Sequence, residues 1–268
     1  MAQEESQTQL PGPDGEKRMG LFDHIDELRA RLMRSLWVFM IGFCASYFLV
    51  TEKILTFLRA PLFAVLPPDQ RKLYFTNLFE NFMTHLKISA YASILVVSPY
   101  LLYELWSFIA PGLYPKERKW VIPFITAGSV FFAGGAFFAY YVLFPVAFKF
   151  FVTYGSPTDM ALLTIDSFYG TCVKLMLLFG LAFEFPVILC FLGFLGIIDG
   201  DTLATHRKTA TLAITVMSAL FAPPDAVSML VLMGPLLVMY EGSIHVVRWF
   251  GKRRKARMAA EGVGPGPS

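Results

Sequence analysis

Five carboxylates stand where a carboxylate needs a reason. Glu184 lies in the middle of the apolar run GLAFEFPVIL, where an ionised group costs about 2.5 to 3.5 kcal/mol to insert at a bilayer centre. It must be neutral or partnered. Pro186 has no N–H to give the carbonyl of Ala182, so a protonated Glu184 has an acceptor one turn away. Two readings stay open: a polar contact for a partner helix or substrate inside the membrane, or an internally satisfied carboxylic acid. Lys174 is ten residues away, about 15 Å along a helix and on another face, which excludes an intrahelical ion pair. Glu27 in HIDELRAR and Glu117 in YPKERKW stand among basic residues beside apolar runs. They are either helix-surface ion pairs, as Glu27 with Arg31 at i,i+4, or two acceptors presented to the guanidinium groups of a cationic ligand. Asp225 follows Pro223-Pro224 and is placed to cap the next helix, which the helix dipole favours. Glu104, in LYELWSF, reads as a snorkelling or paired interfacial acid.

Enzymatic signatures do not accompany these acids. The chain has no GxxxxGK[ST] phosphate loop, no HExxH pair and no GxSxG elbow. His24, His85, His206 and His245 are scattered, and Cys44, Cys172 and Cys190 fall inside apolar runs as small hydrophobes. No enzyme activity, metal or cofactor is expected.

The elements that hold the carboxylates are membrane helices. Only 16% of the 268 residues are charged and 56% are apolar, with 27 Phe and a mean hydropathy of +0.56. That is too little charge for a water-facing surface. From Gly20 to Arg34, Leu21, Phe22, Ile25, Leu28 and Leu32 recur at helical spacing, so an amphipathic helix is expected to run straight into the first span. Six spans follow by run length: Leu36 to Val50, Ile88 to Leu105, Val121 to Phe148, Val173 to Ile198, Thr209 to Ala222 and Val227 to Val247. The expected fold is all-α and polytopic, with short fifth and sixth spans; 14 residues make only about 21 Å of helix. Pro99, Pro145, Pro186 and Pro235 predict bends, tolerated only where another group takes the freed carbonyl.

Sixteen of the 23 Lys and Arg residues fall in segments on the side that holds both termini, and six on the other. Both termini are therefore expected in the cytoplasm. Residues 1–19 and 251–268 are expected to be disordered tails, the latter basic and drawn to anionic lipid. Residues 20–250 form the membrane domain, with an outer cap from loop 51–86. The first residues carry no apolar h-region, so no cleavable signal peptide is expected. Nucleic-acid binding is not suggested.

Taken together, HIDELRARL, RAPL at 59–62, ELWSFIAPGLYPKER at 104–118, FAYYVLFPVAF at 138–148, FEFPV at 183–187 and APPD at 222–225 resemble the TatC family. TatC is the core receptor subunit of the twin-arginine protein translocase. The resemblance runs in order from about residue 21 to 250 and implies six spans with both termini inside. It implies recognition of Arg-Arg signal peptides on folded cargo and proton-motive-force-driven export. Partners would be small single-span subunits of the TatA/TatB type, other copies of this chain, and membrane lipid. By matching motif, Glu27 and Glu117 would receive the two arginines, with Leu28, Arg29 and Phe108 shaping that site. Glu184 would be the family's intramembrane glutamate, and Pro61 and Asp225 sensitive positions on the outer face. Ile25 stands where the family pattern has Leu, while Ala222 and Met229 stand where relatives can carry Thr and Gln, which weakens a polar docking site there. The competing class is a proton-coupled small-solute transporter using Glu184; it lacks support from paired broken helices in matching halves. A purely structural scaffold is a third reading, one in which binding survives neutralising Glu27 and Glu117 together.

Overall fold

The structure, a computed structural model, describes residues 21–109, 120–154, 162–222 and 225–260. Glu117, the tail 1–19 and the Pro223-Pro224 turn lie outside them. The described residues form α1 (Leu21–Leu49), α2 (Thr51–Val65), α3 (Glu80–Ile109), α4 (Val121–Phe138), α5 (Phe144–Thr153), α6 (Ile165–Leu195), α7 (Gly200–Thr205), α8 (Arg207–Phe221) and α9 (Ala226–Ala260). A π-helical stretch, Ala139–Leu143, joins α4 to α5. Pro145 follows it directly, so the wider turn falls where the proline removes a helical donor.

Among the described residues, five stretches are long and apolar enough to cross a membrane: His24–Leu49, Glu80–Phe108, Val121–Thr153, Ile165–Leu195 and Ala226–Arg253. The fifth apolar run, α8, has 15 residues, about 22 Å of helix, and leans on α9. α9 itself continues as helix to Ala260, into the segment expected to be disordered. Once a helix is nucleated, the Lys, Arg and Ala of that segment extend it at little cost.

α6 is the axis, packed between α4, α3 and α9; 56% of its most apolar stretch is buried, against 6% in α1. Its contact with α4 is close because the residues there are small. A Cβ on Gly135 would collide with the backbone carbonyl of Phe179, and one on Gly180 would stand 3.0 Å from the carbonyl oxygen of Phe132. Membrane helices gain from such approach because lipid supplies no hydrophobic drive between them. α6 ends at Gly196, whose φ of 73° only glycine adopts freely, with Ile197 N–H donating to the Leu192 carbonyl at 3.0 Å.

Small polar residues seal α1 against α3. Ser93 Oγ donates to the Phe39 carbonyl at 2.9 Å, and Gly42 leaves room for that hydroxyl. At the opposite end of α3, Tyr74 pairs with Thr164 in a two-residue parallel bridge. Glu80 accepts from the N–H groups of Thr76 (2.6 Å) and Asp166 (3.0 Å), fastening the loop before α3 to the start of α6. Outward-facing Trp37, Ile41, Phe48, Val96, Ile122, Leu181 and Val238 are exposed, as lipid-facing side chains must be.

Candidate functional site

The N-terminal turns of α1 meet the C-terminal turns of α3. On α1, His24, Glu27, Arg31 and Arg34 repeat at three- and four-residue spacing and so share a face. On α3, Tyr100, Glu104 and Phe108 do the same. The two stripes interlock. Arg31 donates from Nε and Nη2 to Glu27 Oε1 at 2.9 and 2.5 Å, and from Nη1 to Glu104 Oε2 at 3.0 Å. Tyr100 O–H donates to Glu104 Oε1 at 2.7 Å, and Arg34 Nη1 lies 3.5 Å from the same oxygen. The ring of Phe108 stacks on His24, centroids 4.3 Å apart, next to Glu27. Glu104 is 3% exposed; Glu27 is half-buried, and its Oε2 is shielded from solvent with no hydrogen-bond partner among the described residues. Leu28 and Arg29 are exposed beside it.

The ion-pair alternative for Glu27 is thus present in the geometry, but the pair is not a plain surface bridge. Arg31 is shared between two carboxylates on different helices, and Glu104 is its buried half, the paired rather than the snorkelling interfacial acid. The signal was available: Arg31 and Arg34 share a helix face with Glu27, and such a cationic stripe at an apolar boundary asks for an acid on the neighbouring helix. Chemically the arrangement is a guanidinium holder with one carboxylate oxygen to spare. Among the described residues, no group of His, Cys, Asp and Glu side chains is arranged to hold a metal ion.

Residues 23–235 match the family model of the Sec-independent protein translocase protein TatC. The chain belongs to the TatC family. A TatC from Desulforapulum autotrophicum is 37% identical over 239 residues, spanning 89% of this chain and 88% of that one. One from Campylobacter jejuni is 38% identical over 226 residues, 84% of this chain and 92% of its own. A crystal structure of a twin-arginine translocase receptor, TatC, superposes with a TM-score of 0.72 at 32% identity, covering 85% of this chain and 99% of that one. The chain is therefore a multi-pass membrane protein and, as a member of this family, a subunit of the Sec-independent protein translocase.

The remaining TatC residues singled out from sequence lie away from Glu27. Glu184 is 5% exposed on α6 and turned toward Gly128 of α4, where a Cβ would come within 3.0 Å of its Oε2. Its Oε1 is buried with no hydrogen-bond partner among the described residues. Asp225 caps α9: Ser228 N–H donates to its Oδ1 at 2.7 Å, while Oδ2 is buried and unpartnered among the described residues. Pro61 sits inside α2 and has no N–H for the carbonyl of Phe57. That carbonyl accepts instead from Tyr140 O–H of the π-helical stretch, at 2.9 Å, and the Phe57 and Tyr140 rings stack 3.8 Å apart.

Proposed function

We propose that this protein is the receptor subunit that captures Arg-Arg signal peptides of folded cargo at the α1–α3 end of the molecule. The observation that carries the reading is the Glu27 carboxylate, half-buried, already gripped by one guanidinium and with a second oxygen, Oε2, unpartnered among the described residues. Carboxylates fixed in such low-dielectric surroundings favour the planar fork of arginine over the point charge of lysine. Glu117, from the segment between α3 and α4, supplies the second acceptor in this reading, and Leu28, Arg29 and Phe108 bound the site.

That end faces the cytoplasm of the inner membrane, with both termini and most of the basic residues. Glu184 serves a second role as a polar contact for single-span partner subunits of the TatA/TatB type, supported by its unpartnered Oε1 inside the bilayer. Pro61 and Asp225 belong to the outer face, and copies of the chain associate within the receptor complex. Proton-motive force drives export through these partners, since a bundle of this size encloses no path for a folded protein.

The test is binding of an Arg-Arg signal peptide and its Lys-Lys counterpart to the detergent-purified protein and to a Glu27→Ala/Glu117→Ala variant. The expected result is a strong Arg-Arg preference in the wild type that the variant loses. Equal binding of both peptides by the wild type overturns the reading.

A further inference from the structure

Arg31 already holds Glu27 as an incoming arginine would have to hold it. Two of its nitrogens reach Glu27 Oε1 and a third reaches Glu104 Oε2. A guanidinium carries five N–H donors on a rigid fork, so one side chain bridges both acids and belongs wholly to neither. The two acids are not equivalent. Glu104 is buried and supported from two more sides, by Tyr100 O–H and by Arg34. Glu27 has no such support among the described residues beyond His24, whose Nδ1 stands 3.9 Å from Oε2. Of the two, Glu104 is built to keep Arg31 and Glu27 is built to release it.

We propose that Arg31 is a resident stand-in for a signal-peptide arginine, and that Glu104 is the positioning residue that takes Arg31 over when the peptide's guanidinium displaces it from Glu27. The proposal rests on the reading of Glu27 as a ligand-binding carboxylate. The exchange is one guanidinium for another: the peptide gains the bonds to Glu27 that Arg31 gives up, and Arg31 stays paired on Glu104, so no charge is left stranded in a low-dielectric place. The stand-in also raises selectivity. A lysine offers a point charge and cannot replace both bonds that the fork of Arg31 makes to Glu27.

The experiment measures Kd for Arg-Arg and Lys-Lys signal peptides on the purified wild type, Arg31→Gln, Glu104→Gln, the double variant and Glu27→Gln, with thermal unfolding recorded for each. Arg31→Gln removes the competitor and tightens Arg-Arg binding by about three- to tenfold, the range of one ordinary net hydrogen bond, while narrowing the Arg-Arg over Lys-Lys ratio. Glu104→Gln leaves Arg31 with Glu27 alone and weakens Arg-Arg binding by a similar factor. In the double variant that weakening vanishes and affinity returns to that of Arg31→Gln. A merely structural pair moves the other way: both single variants weaken binding and the double variant does no better. That pattern, or a Glu104→Gln with wild-type affinity, overturns the handover. The sign of the Arg31→Gln effect decides the matter even where Glu104→Gln fails to fold. Glu27→Gln separates the two levels. Wild-type affinity there sinks the receptor reading itself, whereas lost binding there with a silent Glu104→Gln sinks only the handover.

Discussion

Tyr140 and Pro61 show how a single hydrogen bond transmits a sequence constraint between elements. Pro61 withholds an N–H from the Phe57 carbonyl inside α2, and Tyr140 supplies an O–H in its place at 2.9 Å. Tyr140→Phe keeps the ring stack but leaves that carbonyl unpaired, so the expected cost is about 1 to 3 kcal/mol of stability. A lowered Tm in detergent checks it. Pro61→Ala added to that variant restores the local helix bond and recovers most of the loss, while Pro61→Ala alone is close to neutral for stability; an additive pair of losses would show that the two side chains act independently. Ser98 plays the same part for Pro99, donating to the Leu95 carbonyl at 2.8 Å. Glu184 presents the opposite case, a polar atom left open. Gly128→Ala brings a methyl to about the 3.0 Å from Oε2 that the backbone allows, and the carboxyl, as the end of a flexible side chain, swings away. The expected outcome is a stability within about 1 kcal/mol of wild type, read by thermal unfolding, with export of a folded twin-arginine reporter reduced. Unchanged export would argue against a role for the position of Glu184.

At the scale of elements, α4 against α6 is the packing on which the bundle turns, and two adjacent glycines of α4 make opposite predictions. Gly135 faces the Phe179 backbone with no room for a Cβ, whereas a Cβ on Gly134 meets nothing within 4 Å. Gly135→Val therefore forces the helices apart, at about 1 to 3 kcal/mol or more. Gly134→Ala leaves them alone and, by helix propensity, stabilises by up to about 1 kcal/mol. Thermal unfolding of the two variants side by side reads the difference; equal effects would mean the contact is not tight. The same elements show what was legible before any coordinates. Apolar run length located the spans, and the spacing of Leu21 to Leu32 foretold that the surface helix enters the first span without a break, as α1 does. The rule that a freed carbonyl needs a substitute donor was legible as well, but not the donors, because Tyr140 is 79 residues from Pro61 in sequence and only packing joins them. For Glu104 the sequence likewise admits a paired acid without naming its partner. Its meaning depends on the crossing of α1 and α3, which brings Arg31 to it, and periodicity within either helix says nothing of that crossing. The helical continuation of α9 to Ala260 was missed because charge was read as disorder, although Lys, Arg and Ala are good helix formers once a helix precedes them.

At the scale of the whole molecule the governing asymmetry is electrostatic. The six-span reading assigns sixteen Lys and Arg residues to segments on the side of the α1 N-terminus and the α9 C-terminus, and six to the other. The carboxylates do not cancel this bias, because insertion responds to cations near span ends far more than to net charge. Four of these cations are also paired in the structure, Arg31 and Arg34 with Glu104, and Arg207 and Arg248 with Glu241 and Asp201, so they hold loops and helix ends in register as well. The orientation yields a direct prediction. In a background with Cys44, Cys172 and Cys190 replaced by Ala, a cysteine at Ser6 or Ser268 reacts with a membrane-impermeant maleimide only after the membrane is opened. One at Asp69, in the loop between α2 and α3, reacts from outside in intact spheroplasts. The opposite pattern would turn the Glu27 site outward, away from newly folded cargo, and no twin-arginine receptor could work from there. Labelling at Ser6 and Ser268 on different sides would instead mean that α8, with its 15 residues, does not cross. An odd number of crossings would then separate the two basic ends that the charge distribution places together.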